Sequence, residues 1–145
     1  MTISADRLDE YFTRYAAALT NFDAEASARL WAEPGVIVDD RASMVAESRE
    51  TMVEGLTMSY PLYKKLGLAS VRHEVLDSTD VSEKLALVRV RFVFLDASGA
   101  QLTDTTSYYL LRDGGSGLRA TVCIETDAAE KIQELAASRG VELPG

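Results

Sequence analysis

Val36-Ile37-Val38 runs straight into two carboxylates, Asp39 and Asp40. An apolar strand that delivers an acid into a dry pocket raises its pKa, by up to about 3–5 units on full burial. That moves the group toward neutrality, where an acid or base exchanges protons best. Side chains alternate along a strand, so only one of the two can face inward with its neighbours. Val36 and Val38 form one set, Ile37 and Asp39 the other; alternation leaves both open, and Asp39 is the preferred acid. The competing reading is a solvated strand end, with Asp39-Asp40-Arg41 as a polar turn. His73 is the single histidine and falls on the Val71-His73-Val75 face of a later alternating run. Across a pocket it could meet Asp39, and a carboxylate would orient the imidazole for proton transfer. The plainer alternative is a satisfied core or rim histidine.

Other chemistries find little support. One cysteine, Cys123, excludes an internal disulfide and a multi-cysteine metal site. A lone histidine with scattered carboxylates is no metal-ligand set, so no metal is expected. The glycine-rich "DGGSG" precedes a strand rather than a helix, unlike a phosphate cradle, and no cofactor is expected. A net charge of -8, from 15 Lys+Arg against 23 Asp+Glu, argues against nucleic acid and anionic lipid as partners. No apolar run approaches the roughly 20 residues that span a bilayer. The N-terminal "MTISADRLDE" lacks the pattern of a secretory signal. A reducing cytoplasm is the expected compartment.

The elements that must position these residues follow from periodicity. At 145 residues the chain reads as one domain. A chain near that size buries roughly 68–70% of its unfolded surface. The first half is helical. Ser4 is a good N-cap, and Leu8, Phe12, Tyr15, Leu19 and Phe22 make one apolar face. Asp23 can cap a short second helix through Leu30-Trp31, which "EPG" ends before a strand over 36–39. Ser48 can cap a third helix carrying Met52, Val53, Leu56 and Tyr60. Pro61 should kink or stop it, with Tyr63 and Leu66 continuing its face to Gly67.

The second half is strand-rich, over 68–76, 84–95, 101–113 and 118–126, which predicts an α+β fold. A two-residue Gly114-Gly115 hairpin would pair Asp113 with Ser116 and Tyr109 with Ala120. Thr105, Ser107 and Tyr109 then face the core, with Asp104 and Tyr108 outside; a three-residue loop reverses the set. In the last strand Leu118, Ala120, Val122 and Ile124 form the predicted apolar face, with Cys123 and Glu125 outside. An acid-capped terminal helix follows and ends at Gly140.

The segments "YAAALTNFDAEASARLWAEPGVIVDD" (15–40), "SRETMVEGL" (48–56) and "SYYLLRDGGSGLRA" (107–120) resemble the nuclear transport factor 2-like superfamily, more narrowly its SnoaL-like and ketosteroid-isomerase-like branches. The resemblance covers about residues 5 to 126. It implies a cone in which three N-terminal helices pack on a curved, mostly antiparallel sheet, with a pocket at the open end. It also implies that Tyr15 occupies the place of the oxyanion tyrosine, eight residues before Asp23, itself eight before Trp31. The general base of that branch would fall at Asp39 or Asp40, with one extra residue between Trp31 and the acids. Its second oxyanion acid has no counterpart, since Ser107, Tyr108 and Tyr109 stand there. Homodimers through the outer sheet face are common in the family. A mixed face of Leu85, Leu87, Val93 and Leu95 with Arg89 and Arg91 suits that use.

The expected pocket is lined by Tyr15, Trp31, Asp39, Tyr60, His73 and Tyr109. Met52 and Tyr63 either pack the third helix onto the sheet or join the ligand surface. The leading expectation is a small-molecule pocket protein for an apolar or carbonyl-containing ligand. The alternatives are an isomerase- or cyclase-like enzyme, with Asp39, His73 and Tyr15 carrying proton transfer next to a carbonyl, and a non-catalytic protein-interaction module.

Overall fold

The computed structural model describes residues 2–143. Helix α1 (Ala5–Thr20) begins where Ser4 Oγ accepts the Arg7 N–H at 3.2 Å, and it buries Leu8, Tyr11, Phe12 and Ala16. Helix α2 (Ala24–Arg29) is capped by the Asp23 carboxylate, which accepts the Ala26 N–H. It stops two residues before Trp31, earlier than its sequence suggests. The Leu30 carbonyl is taken by the Ala120 N–H instead, so Trp31 opens strand β1 (Trp31–Val38). Helix α3 (Arg49–Lys65) is capped by Ser48 and runs through Pro61, which neither stops nor shortens it. Pro61 is exposed, so the lost N–H bond and the ring fall on the solvent side. Tyr60, buried, and Leu66, fully buried, anchor the turns to either side.

The other strands are β2 (Ser43–Ala46), β3 (Ser70–Asp80), β4 (Leu85–Leu95), β5 (Gln101–Asp113) and β6 (Leu118–Glu125). They form one sheet in the order β2-β1-β6-β5-β4-β3, antiparallel except for the β1–β6 pair. Strand β2 was not expected: four residues with two exposed apolar side chains, Met44 and Val45, carry too little pattern to stand out from a connection. The register of β1 on β6 shifts between Trp31 and Val36. Within that shift lies Gly35. A Cβ there would sit 2.8 Å from the Trp31 ring, so the strand can pass over the indole only as glycine.

The β5–β6 hairpin decides what faces the core. Asp113 pairs with Leu118, leaving a four-residue loop at 114–117 rather than the two-residue turn. Two extra residues preserve parity, so Thr105, Ser107, Tyr109 and Leu111 are buried on the inner face as expected. A second irregularity was not foreseen. Leu111 pairs with Ala120 and Leu110 with Val122, so Thr121 is a bulge whose hydroxyl donates to the Leu110 carbonyl at 3.2 Å. The extra residue reverses the rest of the strand. Cys123 is buried and Glu125 turns in opposite Ser107, while Ile124 is exposed. The predicted apolar set of Val122 and Ile124 is the outer one.

Helix α4 (Ala128–Arg139) packs Leu135 and Ala136 against Leu66, and it ends at Gly140 in the left-handed region. The Asp127 carboxylate does not cap the helix. It accepts the Thr106 N–H of β5 at 2.8 Å. Lys131 and Arg91 both bind Asp104, at 2.7 Å each. Part of the outer sheet face is thus engaged within the chain: Arg91 is paired and Val93 is almost fully buried.

Candidate functional site

Between the helices and the inner sheet lies a cavity of about 370 Å³. Its wall includes Tyr15, Trp31, Met52, Tyr60, Tyr63 and Tyr109, the six expected inward-facing residues other than Asp39 and His73. It also includes Phe22, Met44, Phe92, Phe94, Ile132 and Glu125, none of which the sequence singled out as site residues. Phe92 and Phe94 fall on the strand expected over 84–95, where alternation gives no sign that they line a cavity. Met44 and Ile132 come from the unexpected strand and from α4.

Two phenols meet at the inner end. Tyr109 Oη donates to Tyr15 Oη at 3.0 Å, and the Tyr15 ring stacks on Phe92 with centroids 5.4 Å apart. Burial pushes both phenols upward from the ordinary tyrosine range, so both are protonated at neutral pH. Because Tyr109 gives its proton to Tyr15, the Tyr15 proton is left to be donated elsewhere. The Trp31 indole N–H lies near the Tyr15 oxygen but falls short of hydrogen-bond geometry, so it remains a buried donor without an acceptor. Tyr60 Oη and Ser27 Oγ stand in the same relation.

Glu125 is the only charged side chain on the cavity wall among the described residues. Its pKa is raised, first by burial and second by the negative charge of Asp39. Among the described residues its carboxylate accepts no hydrogen bond and forms no ion pair. Arg41 borders a small notch on the other side of Glu125 but makes no bridge to it. A half-buried carboxylate with no donor and no cation is costly, and the fold does nothing to relieve it.

Asp39 is not a cavity residue. The strand ends at Val38, and the Asp39 carboxylate accepts the N–H groups of Arg41 and Ala42 at 2.8 and 2.9 Å. These bonds hold its pKa below the ordinary aspartate value, the reverse of what a general base needs. Asp40 is exposed. His73 faces inward from β3 as expected, but it does not meet Asp39: its Nε2 lies 2.8 Å from Asp9 Oδ1, on the first turns of α1. It tethers the helix to the sheet outside the cavity. This placement accords with a polar turn at Asp39-Asp40-Arg41 and with a histidine whose ring is satisfied by Asp9.

A second, open groove of about 520 Å³ runs along α1, α2 and the 114–117 loop, with Arg7, Arg14, Arg29 and Arg119 on its sides. Arg7 is committed to Asp113 at 2.8 Å and Arg14 to Glu10, which leaves the groove of mixed charge.

Helices on the concave side of one curled sheet, with an apolar hollow between, accord with the family match. Residues 5–128 fit the family described as NTF2-like protein (DUF6841). The chain belongs to that family. Among solved structures, an NTF2-like protein of unknown function from Shewanella oneidensis MR-1 superposes with a TM-score of 0.69 at 12% identity, covering 86% of this chain and 100% of its own. A domain of unknown function with a cystatin-like fold from Nostoc punctiforme gives 0.68 at 14% identity, with 94% and 98% covered. A ketosteroid isomerase-like protein from Erwinia carotovora gives 0.62 at 15% identity, with 86% and 97% covered. No curated protein matches the sequence. At these identities the likeness is one of fold. This NTF2-like chain has an α+β cone of the cystatin-like type, and α4 begins where the family match ends.

Proposed function

We propose that this NTF2-like protein binds a small, mostly apolar molecule in the cavity between its helices and its sheet. The observation that carries the proposal is the wall itself: aromatic and aliphatic side chains with a few convergent polar groups, Tyr15, Ser107 and Glu125. A volume near 370 Å³ suits a ligand of one or two rings. The test is a thermal-shift and ligand-observed NMR screen of small aromatic compounds, repeated on Gly55→Trp, which adds a ring on the cavity wall. Compounds that stabilise the wild type and not the variant support the reading. A screen in which both proteins respond alike refutes it.

A second reading, proton transfer at carbon next to a carbonyl, is favoured by Glu125 and Tyr15 sharing one cavity. Glu125 would take the proton from carbon while the Tyr15 hydroxyl donates to the oxygen that gains charge. The roles the sequence assigned to Asp39 and His73 pass to Glu125. Turnover that survives Glu125→Gln eliminates this reading and leaves binding intact.

We further propose a homodimer through the part of the outer sheet face that α4 leaves open. Tyr108, Leu110, Val122 and Ile124 share that face by register, and Ile124 is 39% exposed.

A further inference from the structure

The wall of the cavity is rich in electrons and poor in positive charge. The rings of Tyr15, Trp31, Tyr60, Tyr63 and Phe92 surround it, and no lysine, arginine or histidine is among the described lining residues. Its one charged group, Glu125, has neither cation nor hydrogen-bond donor. From these features we infer that the ligand is a small aromatic or aliphatic amine, bound as its ammonium ion with the charge beside Glu125 and the apolar body against the rings.

The inference rests on the pocket reading above and narrows its ligand class. Glu125 is half-buried and has lost part of its water, and a carboxylate so placed is stabilised by a proton or by a nearby cation. The fold supplies no cation, and the neighbouring acidic charge of Asp39 makes the vacancy more unfavourable. An ammonium group would neutralise Glu125 inside a site of low dielectric, where the attraction is stronger than in water. The same group is drawn to aromatic faces, which carry negative potential, and meets no positively charged side chain among the described lining residues. Anionic ligands meet a like charge at Glu125 and no cation; the neutral donors of the wall, the Tyr15 and Tyr60 hydroxyls and the Trp31 N–H, carry no full charge to offset it. Neutral ligands fill the hollow but leave Glu125 unpaired.

The experiment compares three matched probes, 2-phenylethylamine, 2-phenylethanol and phenylacetate, by calorimetric or NMR titration of the full chain at neutral pH. The amine is expected to bind at least tenfold more tightly than the alcohol, and phenylacetate least. In Glu125→Gln the amine should lose its tenfold advantage over the alcohol. An alcohol that binds the wild type as tightly as the amine overturns the ammonium assignment and leaves the pocket reading standing. Failure of all three to bind overturns both. The wild-type comparison stands alone if the variant does not fold.

Discussion

Glu125 stands opposite Ser107 across the β5–β6 ladder, and both line the cavity although Glu125 lies four residues beyond a bulge. That position makes its proton affinity part of the stability of the fold. The folded chain holds the Glu125 proton more tightly than the unfolded chain. The stabilisation from that proton is fully present below the ordinary glutamate pKa and is lost as pH rises through the raised one. Glu125→Gln escapes the loss. Against urea the variant should exceed the wild type at pH 8 and match it near pH 4. The same difference at both pH values would mean that the carboxylate is not unfavourably buried.

The Tyr109–Tyr15 hydrogen bond predicts unequal costs. Tyr15→Phe strands the buried Tyr109 hydroxyl and should cost about 1–3 kcal/mol. Tyr109→Phe removes a donor but leaves Tyr15 facing the cavity, and should cost about 0.5–1.5 kcal/mol. The double variant should lose less than the sum by at least about 0.5 kcal/mol. Strict additivity in chemical denaturation would show the pair to be uncoupled.

Asp39 works as the cap of its own turn. Asp39→Ala removes the acceptor for the Arg41 and Ala42 N–H groups and should lower the melting temperature. Asp39→Asn keeps an oxygen in place and should lower it less. Neutralising Asp39 should also bring the Glu125 pKa down toward the ordinary value, readable by carboxyl NMR titration. Tyr15, Tyr63 and Cys123, the other titratable groups coupled to Glu125, stay neutral over that range. An unchanged Glu125 titration would remove Asp39 as a cause.

For the proposed dimer, Ile124→Lys places a charge at the centre of the apolar outer set. The wild type should sediment as a dimer and the variant as a monomer with an unaltered near-UV spectrum. A monomeric wild type at high concentration disposes of the interface.

What could be read from the sequence depended on the range of the interaction that decides it. The caps at Ser4, Asp23 and Ser48 are three-residue events between a side chain and a nearby N–H, and all three form as expected. The inward set of Thr105, Ser107 and Tyr109 follows from alternation alone and survived a wrong loop length because the error was an even number of residues. Asp39 failed for a local reason: a short acid after the last residue of a strand can bind the next N–H groups more cheaply than it can be desolvated. His73 failed for a distant one, since its partner Asp9 lies 64 residues away and no pattern joins them. Glu125 was hidden by a single unpaired residue, which alternation cannot announce.

Thr121 therefore governs more than the shape of a strand. A version of this chain lacking that residue would keep the hairpin and the helices, yet Val122 and Ile124 would rotate into the hollow and Glu125 out to solvent. The interior would then be a greasy neutral chamber with no preference for charge. A one-residue deletion at this point is a route by which the same scaffold could replace the acid in its hollow with aliphatic side chains while every other residue of the chain stays the same.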